Sequence, residues 1–113
     1  MKSKILALSK NEEFKNLLKQ KKLSNKYVTV FFGILENKDN KKLNISFVTK
    51  KKIGNAVKRN KIKRRLKNMT TDAIKNISLN LNYSYLIVAK NTVLNDKYSI
   101  IKDRLFEDFE RVK

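Results

Sequence analysis

The sequence predicts an α+β fold, a small mixed sheet packed with helices, in one domain over residues 1–113. Apolar residues recur every three or four positions near both ends and in the middle of the chain, which is typical of amphipathic helices. Three shorter segments are rich in β-branched and aromatic residues, as strands are. With no Pro and only two Gly, the chain contains no evident linker. The order helix, two strands, helix, strand, helix therefore indicates helices against a single small sheet.

The first helix is predicted to begin at Ser9. The sequence Ser9-Lys10-Asn11-Glu12 has the form of a capping box, in which a hydroxyl and a carboxylate satisfy free amides of the first turn. Phe14, Leu17 and Leu18 then follow at the spacing of one buried stripe.

Three strands are predicted. Tyr27–Leu35 and Leu43–Thr49 have the composition of strands, and the polar segment Glu36–Lys42 between them is predicted to be a hairpin connection. Tyr85–Lys90 is almost wholly apolar, which predicts a central strand buried on both faces.

Two longer helices complete the fold. A second helix is predicted from about Asn55 to Ile77, although Thr70 and Thr71 could break it; its apolar stripe is Ile62, Leu66, Met69, Ala73 and Ile77. A last helix is predicted over Lys97–Val112, with an apolar side made of Tyr98, Ile101, Leu105, Phe109 and Val112.

Positive charge is the outlying property, with 28 Lys and Arg against 10 acids and a net charge of +18. Abundant Lys and Asn could reflect only a compositional bias, but the charge is unevenly distributed. No acid lies between Asp39 and Asp72, and that interval contains twelve of the cations. A surface shaped only for solubility would mix the two signs. The interval therefore predicts a phosphate-binding face and a nucleic-acid partner.

Several classes of function are excluded by composition. The chain has no Cys and no His, which removes disulfides, thiolate and imidazole catalysis, and the usual zinc sites. The one acidic cluster (Asp103, Glu107, Asp108 and Glu110) alternates with cations, as solvated helix charges do. No apolar run is long enough to span a bilayer or to serve as a signal segment. We expect a cytoplasmic protein that uses no membrane.

The segment Lys52–Leu66 reads KIGNAVKRNKIKRRL. It resembles the signature of the bacterial ribonuclease P protein, of the form K-x-G-x-A-V-x-R-N-R-x-K-R-x-x-R. Lys61 stands where the family has the second Arg of its Arg-Asn-Arg core, so the charge is kept but the planar bidentate fork is lost. Gly54 either brings backbone amides close to a ligand or forms an ordinary strand-to-helix turn.

The resemblance, which covers about Ile5 to Arg111, implies an αβββαβα fold with a four-stranded sheet, of the ribosomal protein S5 domain 2-like class. It also implies the function. The family provides the protein subunit of ribonuclease P, an endonuclease that removes the 5′ leader of precursor tRNA. The catalytic centre lies in the RNA subunit, which also binds most of the Mg²⁺, and the protein alone holds no metal. Ribonuclease P RNA and the precursor tRNA leader are the expected partners, and DNA is not.

Site residues follow from the resemblance, and no catalytic residue is among them. The residues expected to bind the RNA subunit are Lys58, Arg59, Asn60, Lys61, Lys63, Arg64 and Arg65. Those expected to bind the leader, in a cleft between the first helix and the sheet, are Phe14, Leu18, Tyr27, Phe31 or Phe32, and Lys50, Lys51 and Lys52. For Phe14 and Leu18, core packing is an equal alternative, and the family usually has an aromatic residue where Leu18 stands.

Two other functions fit a small basic α+β domain. A ribosomal protein bound to rRNA as a structural clamp matches the size and charge, but it would not need the Gly54–Arg65 pattern or an aromatic cleft. A DNA-binding helix–turn–helix regulator matches the basic helix, but strands separate the predicted helices and leave no tight pair.

Overall fold

The α+β architecture is confirmed by the computed structural model, which describes residues 5–8, 11–35, 42–77 and 79–112. Its strands are β1 (Ile5–Leu6), β2 (Lys21–Ser24), β3 (Val28–Gly33), β4 (Leu43–Val48) and β5 (Ser84–Ala89). Its α-helices are α1 (Asn11–Leu18), α2 (Ala56–Asn76) and α3 (Tyr98–Arg111). Short 3-10 turns, Lys51–Ile53 and Asn91–Leu94, follow β4 and β5. The predicted capping box begins at Ser9, which lies outside the described residues.

The described strands form one mixed sheet in the order β1-β4-β5-β3-β2. The predicted hairpin across Glu36–Lys42 is wrong, because β5 lies between β3 and β4, antiparallel to the first and parallel to the second. The nearly all-apolar β5 takes the central position, where both of its faces are buried, as its composition predicted. The hairpin partner of β3 is instead β2, the strand that precedes it in the sequence. The sequence of β2, KKLS, has no strand pattern.

The sheet separates two apolar clusters. On one face, α2 and α3 cover the main core, and their predicted stripes are buried except for the partly buried Ile77 and Tyr98. On the other face, α1 contacts β2, β3 and β5 and forms a smaller cluster. Of the predicted α1 stripe, Leu17 is fully buried, Phe14 is partly buried and Leu18 is 50% exposed.

The second helix runs through the two threonines that could have broken it. Thr70 is fully buried, and its hydroxyl donates to the Leu66 carbonyl; the Thr71 hydroxyl donates to the Lys67 carbonyl in the same way. These local bonds satisfy the hydroxyls within the helix. The burial of Met69 and Ala73 on the same side then keeps the helix continuous into its last turns.

A buried polar contact joins the turn before β3 to the last helix. The Asn25 side chain, in the turn before β3, donates to the Asp108 carboxylate of α3 at 2.5 Å. The Asn25 side-chain oxygen accepts from the amides of Tyr27 and Val28 at 2.7 and 3.0 Å. Asp108 is only 2% exposed, so its assignment to a row of solvated helix charges was wrong.

Candidate nucleic-acid interface

The basic helix α2 begins at a defined cap. The Asn55 side chain accepts a hydrogen bond from the Lys58 amide at 2.9 Å, which is a standard N-cap contact. Gly54, just before it, has a φ of 159° and a ψ of −168°, a region that residues with a Cβ rarely adopt. The Gly54 backbone N–H donates a hydrogen bond to the Lys51 carbonyl oxygen, with 3.3 Å between nitrogen and oxygen. The structure therefore gives Gly54 a conformational role in the strand-to-helix turn.

The outer surface of α2 carries unpaired positive charge. Asn60, Lys61 and Arg64 are exposed, as are Lys58 and Lys63. Within the described ranges the ion pairs are Lys26–Asp96 and Arg104–Glu107, and neither involves α2. Acids in the part of the chain that the structure describes therefore do not neutralise this face, and its cations are available to phosphates.

The two remaining arginines of the predicted RNA-binding set differ from the rest. Arg65 is partly buried: its Nη2 donates to the Asp96 carbonyl at 3.1 Å, and its guanidinium lies 5.5 Å from the centre of the Tyr98 ring. Arg59 is also partly buried, and its Nε has no hydrogen-bond partner among the described residues. Arg65 thus links α2 to the start of α3, whereas the exposed cations of α2 point to solvent.

The predicted cleft lies on the sheet face that α1 covers only in part. Phe14 of α1 and Phe31 of β3 are both partly buried there, packed with Val48 and Val88. These two valines are directly paired between the parallel strands β4 and β5. The structure therefore brings Phe14 and Phe31 to one apolar surface.

Two grooves border the Val48–Val88 pair, and each valine lines one of them. The first groove passes Phe14 and the outer edge of β4 and is bordered by two cations of α2; its lining includes Ala7, Phe14, Ser46, Phe47, Val48, Lys63 and Lys67. The second groove lies beyond the carboxyl ends of β4 and β5; its lining includes Thr29, Lys50, Lys52, Val88, Lys90 and Asn91. We refer to these two neighbouring grooves together as the cleft; each combines apolar lining residues with lysines, which suits unpaired nucleotides.

Two aromatic residues assigned to the leader cleft are elsewhere. Phe32 is 6% exposed in the main core, and its ring meets that of Tyr83 edge to face at 5.5 Å. Side chains alternate along β3, so Phe31 faces α1 while Phe32 faces α2 and α3. Tyr27 is 5% exposed in the same core, and its hydroxyl donates to Asp96. Neither ring can serve as a stacking platform in the cleft, so these two assignments are wrong.

Of the other residues assigned to the leader site, two line a groove. Lys50 and Lys52 line the second groove, and Lys51 is exposed between them. Leu18 is half-exposed on α1 and contributes no ring for stacking.

Sequence reasoning missed Lys90 and Lys67 as cleft residues. The signal for Lys90 was its position directly after an apolar strand. This position would have indicated a cleft residue only if β4 and β5 were known to be parallel. Parallel neighbours end at the same edge of the sheet, and this places Lys50 beside Lys90. The predicted hairpin concealed this relation. The signal for Lys67 was its spacing of four residues from Lys63 on one helix flank.

The pKa shifts of Asp96 and Tyr27 arise from one structural contact. The hydrogen bond from Tyr27 lowers the pKa of Asp96, and the same contact raises the pKa of Tyr27.

In the ranges that the structure describes, no three acidic side chains converge as a metal site would require. No helix in those ranges is long and apolar enough to cross a membrane.

Comparison with known proteins gives one consistent family. A sequence model described as "Ribonuclease P" matches residues 3–113. The ribonuclease P protein component of Carboxydothermus hydrogenoformans is 36% identical over 102 residues, which cover 87% of this chain and 83% of the relative. That of Mycoplasma mycoides is 28% identical over 106 residues, 94% of each chain.

Solved structures show the same fold. The ribonuclease P protein of Staphylococcus aureus superposes with a TM-score of 0.77 at 23% identity, covering 95% of this chain and 94% of that one. The protein from Thermotoga maritima gives a TM-score of 0.78 at 18% identity, covering 96% and 98%. The fold contains the four strands that the resemblance implied, β2 to β5, and the two-residue β1. The family match decides against the ribosomal and DNA-binding alternatives. The chain belongs to the family of ribonuclease P protein components, the RNA-binding partners of ribonuclease P RNA in the endoribonuclease that processes tRNA.

Proposed function

We propose that this chain uses α2 to bind the RNA subunit of ribonuclease P and the cleft beside α1 to bind the 5′ leader of precursor tRNA. The observation that carries the proposal is the positive charge on the outer face of α2, without an ion pair in the described residues, next to two grooves lined by apolar residues and lysines. Such a helix can follow a phosphate backbone, while the cleft can accept single-stranded nucleotides of any sequence. The two surfaces share the helix, so one bound protein can hold both RNAs together.

The chemical step belongs, in this proposal, to the RNA subunit. The described residues offer no converging carboxylates, and the chain has no His or Cys to act as a general base or nucleophile. Mg²⁺ held by the RNA would supply the Lewis-acid chemistry of hydrolysis. The protein's residues would bind and orient: Lys61 and Arg64 offset phosphate repulsion at the RNA subunit, and Phe14 and Phe31 hold the leader beside it.

The docking surface is tested by cleavage at low Mg²⁺. Precursor tRNA with a 5′ leader is incubated with a bacterial ribonuclease P RNA, with and without the protein. We expect the protein to increase cleavage at the mature 5′ end, and Lys61→Gln/Arg64→Gln to weaken RNA-subunit binding and to flatten its salt dependence. Lys21→Gln/Lys97→Gln is the matched control for the loss of two charges, because Lys21 on the edge strand β2 and Lys97 before α3 are both exposed and line neither groove. If the protein adds nothing to cleavage by RNA alone, the proposed function is wrong.

The leader cleft is tested by the ratio of affinities for precursor and mature tRNA. Phe14→Ala should lower the affinity for precursor by about 1–3 kcal/mol, the range measured for stacking of one base on one ring, and leave mature tRNA unaffected. Ile34→Ala is the control, because Ile34 is 67% exposed and does not line either groove. An equal loss for precursor and mature tRNA would remove Phe14 from the leader site.

A further inference from the structure

The outer ridge of α2 begins with an apolar residue. Val57 lies in the first turn of the helix, in line with Lys61 and Arg64, which follow it at spacings of four and three residues. All three side chains are exposed, on the side of the helix opposite to the buried Ile62 and Leu66. Val57 is 78% exposed, which makes it the most exposed of the large apolar residues that the structure describes. The ridge of cations therefore carries an apolar side chain at its start.

Val57 has no role in holding the described fold together. The N-cap of α2 is the contact between the Asn55 side chain and the Lys58 amide, and neither apolar cluster of the described residues includes Val57. Val is also a weaker helix former than Ala, because its branched Cβ restricts the side chain in a helix. Single exposed apolar residues are common on protein surfaces, and Ile34 and Ile100 are examples in this chain. Val57 differs from them because it lies on the face that carries the unpaired cations.

The surroundings of Val57 determine which kind of partner can cover it. The first turn of α2 contains no acid, and the exposed neighbours of Val57 include Lys58, Asn60 and Lys61. A protein that covered Val57 with apolar residues would also have to match this concentrated positive charge. RNA carries flat apolar base faces between anionic phosphates, so it can contact the valine and the cations at once. In a regular duplex the base faces are stacked inside, and an unpaired nucleotide exposes them.

We propose that Val57 packs against the face of an unstacked base in the RNA subunit and thereby helps α2 to select that folded RNA over duplex RNA. The proposal rests on the docking of α2 proposed above. Phosphate contacts alone carry no sequence information, so Lys61 and Arg64 attract any RNA backbone. An apolar contact, in contrast, requires a base that the fold of the RNA turns outwards. Val57 is therefore a specificity-determining residue, whereas the cations supply general affinity.

Titration of the full chain with two RNAs at several salt concentrations tests the proposal. The RNAs are a bacterial ribonuclease P RNA and a fully paired RNA duplex. We expect Val57→Ala to bind the ribonuclease P RNA about tenfold more weakly at every salt concentration, a change of about 1.4 kcal/mol, which corresponds to two methyl groups that lose their contact. Its affinity for the duplex should equal that of the wild type. The slope of log affinity against log salt concentration should also stay unchanged, because no cation is lost.

Further variants separate the apolar contact from an effect on the helix. Ala is the better helix former, so weaker binding of Val57→Ala cannot come from a loss of helix in α2. Val57→Thr keeps the branched shape but replaces a methyl group by a hydroxyl, so it should also bind the ribonuclease P RNA more weakly, and Val57→Ile should keep the affinity. Ile100→Ala is the matched control, because Ile100 is 49% exposed on α3 and does not belong to α2. This control should bind both RNAs as the wild type does.

Unchanged affinity of Val57→Ala for the ribonuclease P RNA would overturn this inference. An equal loss for both RNAs, or a flattened salt slope, would overturn it as well, because either result would assign Val57 to the general attraction of α2 for RNA. In all three cases Lys61→Gln/Arg64→Gln would still flatten the salt dependence if α2 is the docking surface. An unchanged slope for that double variant would instead refute the proposed docking of α2, and this inference with it.

Discussion

Replacing Asn25 with Ala should destabilise the fold more than the loss of an exposed polar side chain would, because the Asn25 side chain makes three buried hydrogen bonds. The substitution removes a donor to the buried Asp108 carboxylate and the acceptor for the amides of Tyr27 and Val28. Each buried group left without a partner costs about 1–3 kcal/mol, and more when it is charged. Some relaxation will occur, so we expect a loss of about 3–5 kcal/mol from a total typically near 5–15 kcal/mol for a folded domain.

Urea denaturation followed by circular dichroism measures this loss. With a slope of about 1–3 kcal/mol per molar, the midpoint should fall by about 2 M while the slope stays unchanged. Asn68→Ala is the matched control, since Asn68 is exposed in the middle of α2 and should be neutral or slightly stabilising as Ala. The double variant Asn25→Asp/Asp108→Asn exchanges donor and acceptor and should recover part of the loss. A midpoint for Asn25→Ala within about 0.5 M of the wild type would show that water satisfies these groups, and the reasoning would fail.

Two further predictions concern the contacts around Asp96. Arg65→Gln should lower the free energy of unfolding by about 1 kcal/mol, because it removes the contacts with Tyr98 and the Asp96 carbonyl. RNA titration should show a smaller affinity loss for it than for Arg64→Gln; the reverse order would place Arg65 in the interface. The lowered pKa of Asp96 means that its bond from Tyr27 stabilises the fold above the ordinary carboxyl range and is lost as pH falls through the lowered pKa. The stability difference between wild type and Tyr27→Phe in urea should therefore be constant near neutrality and shrink below about pH 4, and a difference that grows there would contradict it.

Periodicity was enough to predict α2 and α3, and a continuous apolar run was enough to predict β5, because both patterns reflect burial directly. It failed for β2, whose Lys21 and Lys22 are exposed and whose only strand signal is its pairing with β3. It could not choose between Phe31 and Phe32 either. Adjacent residues of a strand face opposite sides, and the side that each faces depends on where α1 packs, which no local pattern encodes.

The order of the strands was the deeper limit for the site. Adjacent strands in sequence usually pair, and that expectation placed β3 beside β4. Burial of both faces of β5 decided otherwise, and the resulting parallel pair brings the turns after β4 and β5 together. Lys50 was assigned to the cleft from the resemblance, whereas Lys90 became visible only once this pairing was known.

The unpaired charge of α2 ties the stability of the chain to its partner. The sequence between Asp39 and Asp72 contains twelve cations and no acid. In the described residues α2 forms no ion pair. Self-repulsion on that face opposes the compact state, and the buried stripe through Ile62 and Leu66 must hold the helix against it. An RNA bound to α2 as proposed would remove this repulsion and would bind only where the helix is formed, so its binding would also stabilise the fold.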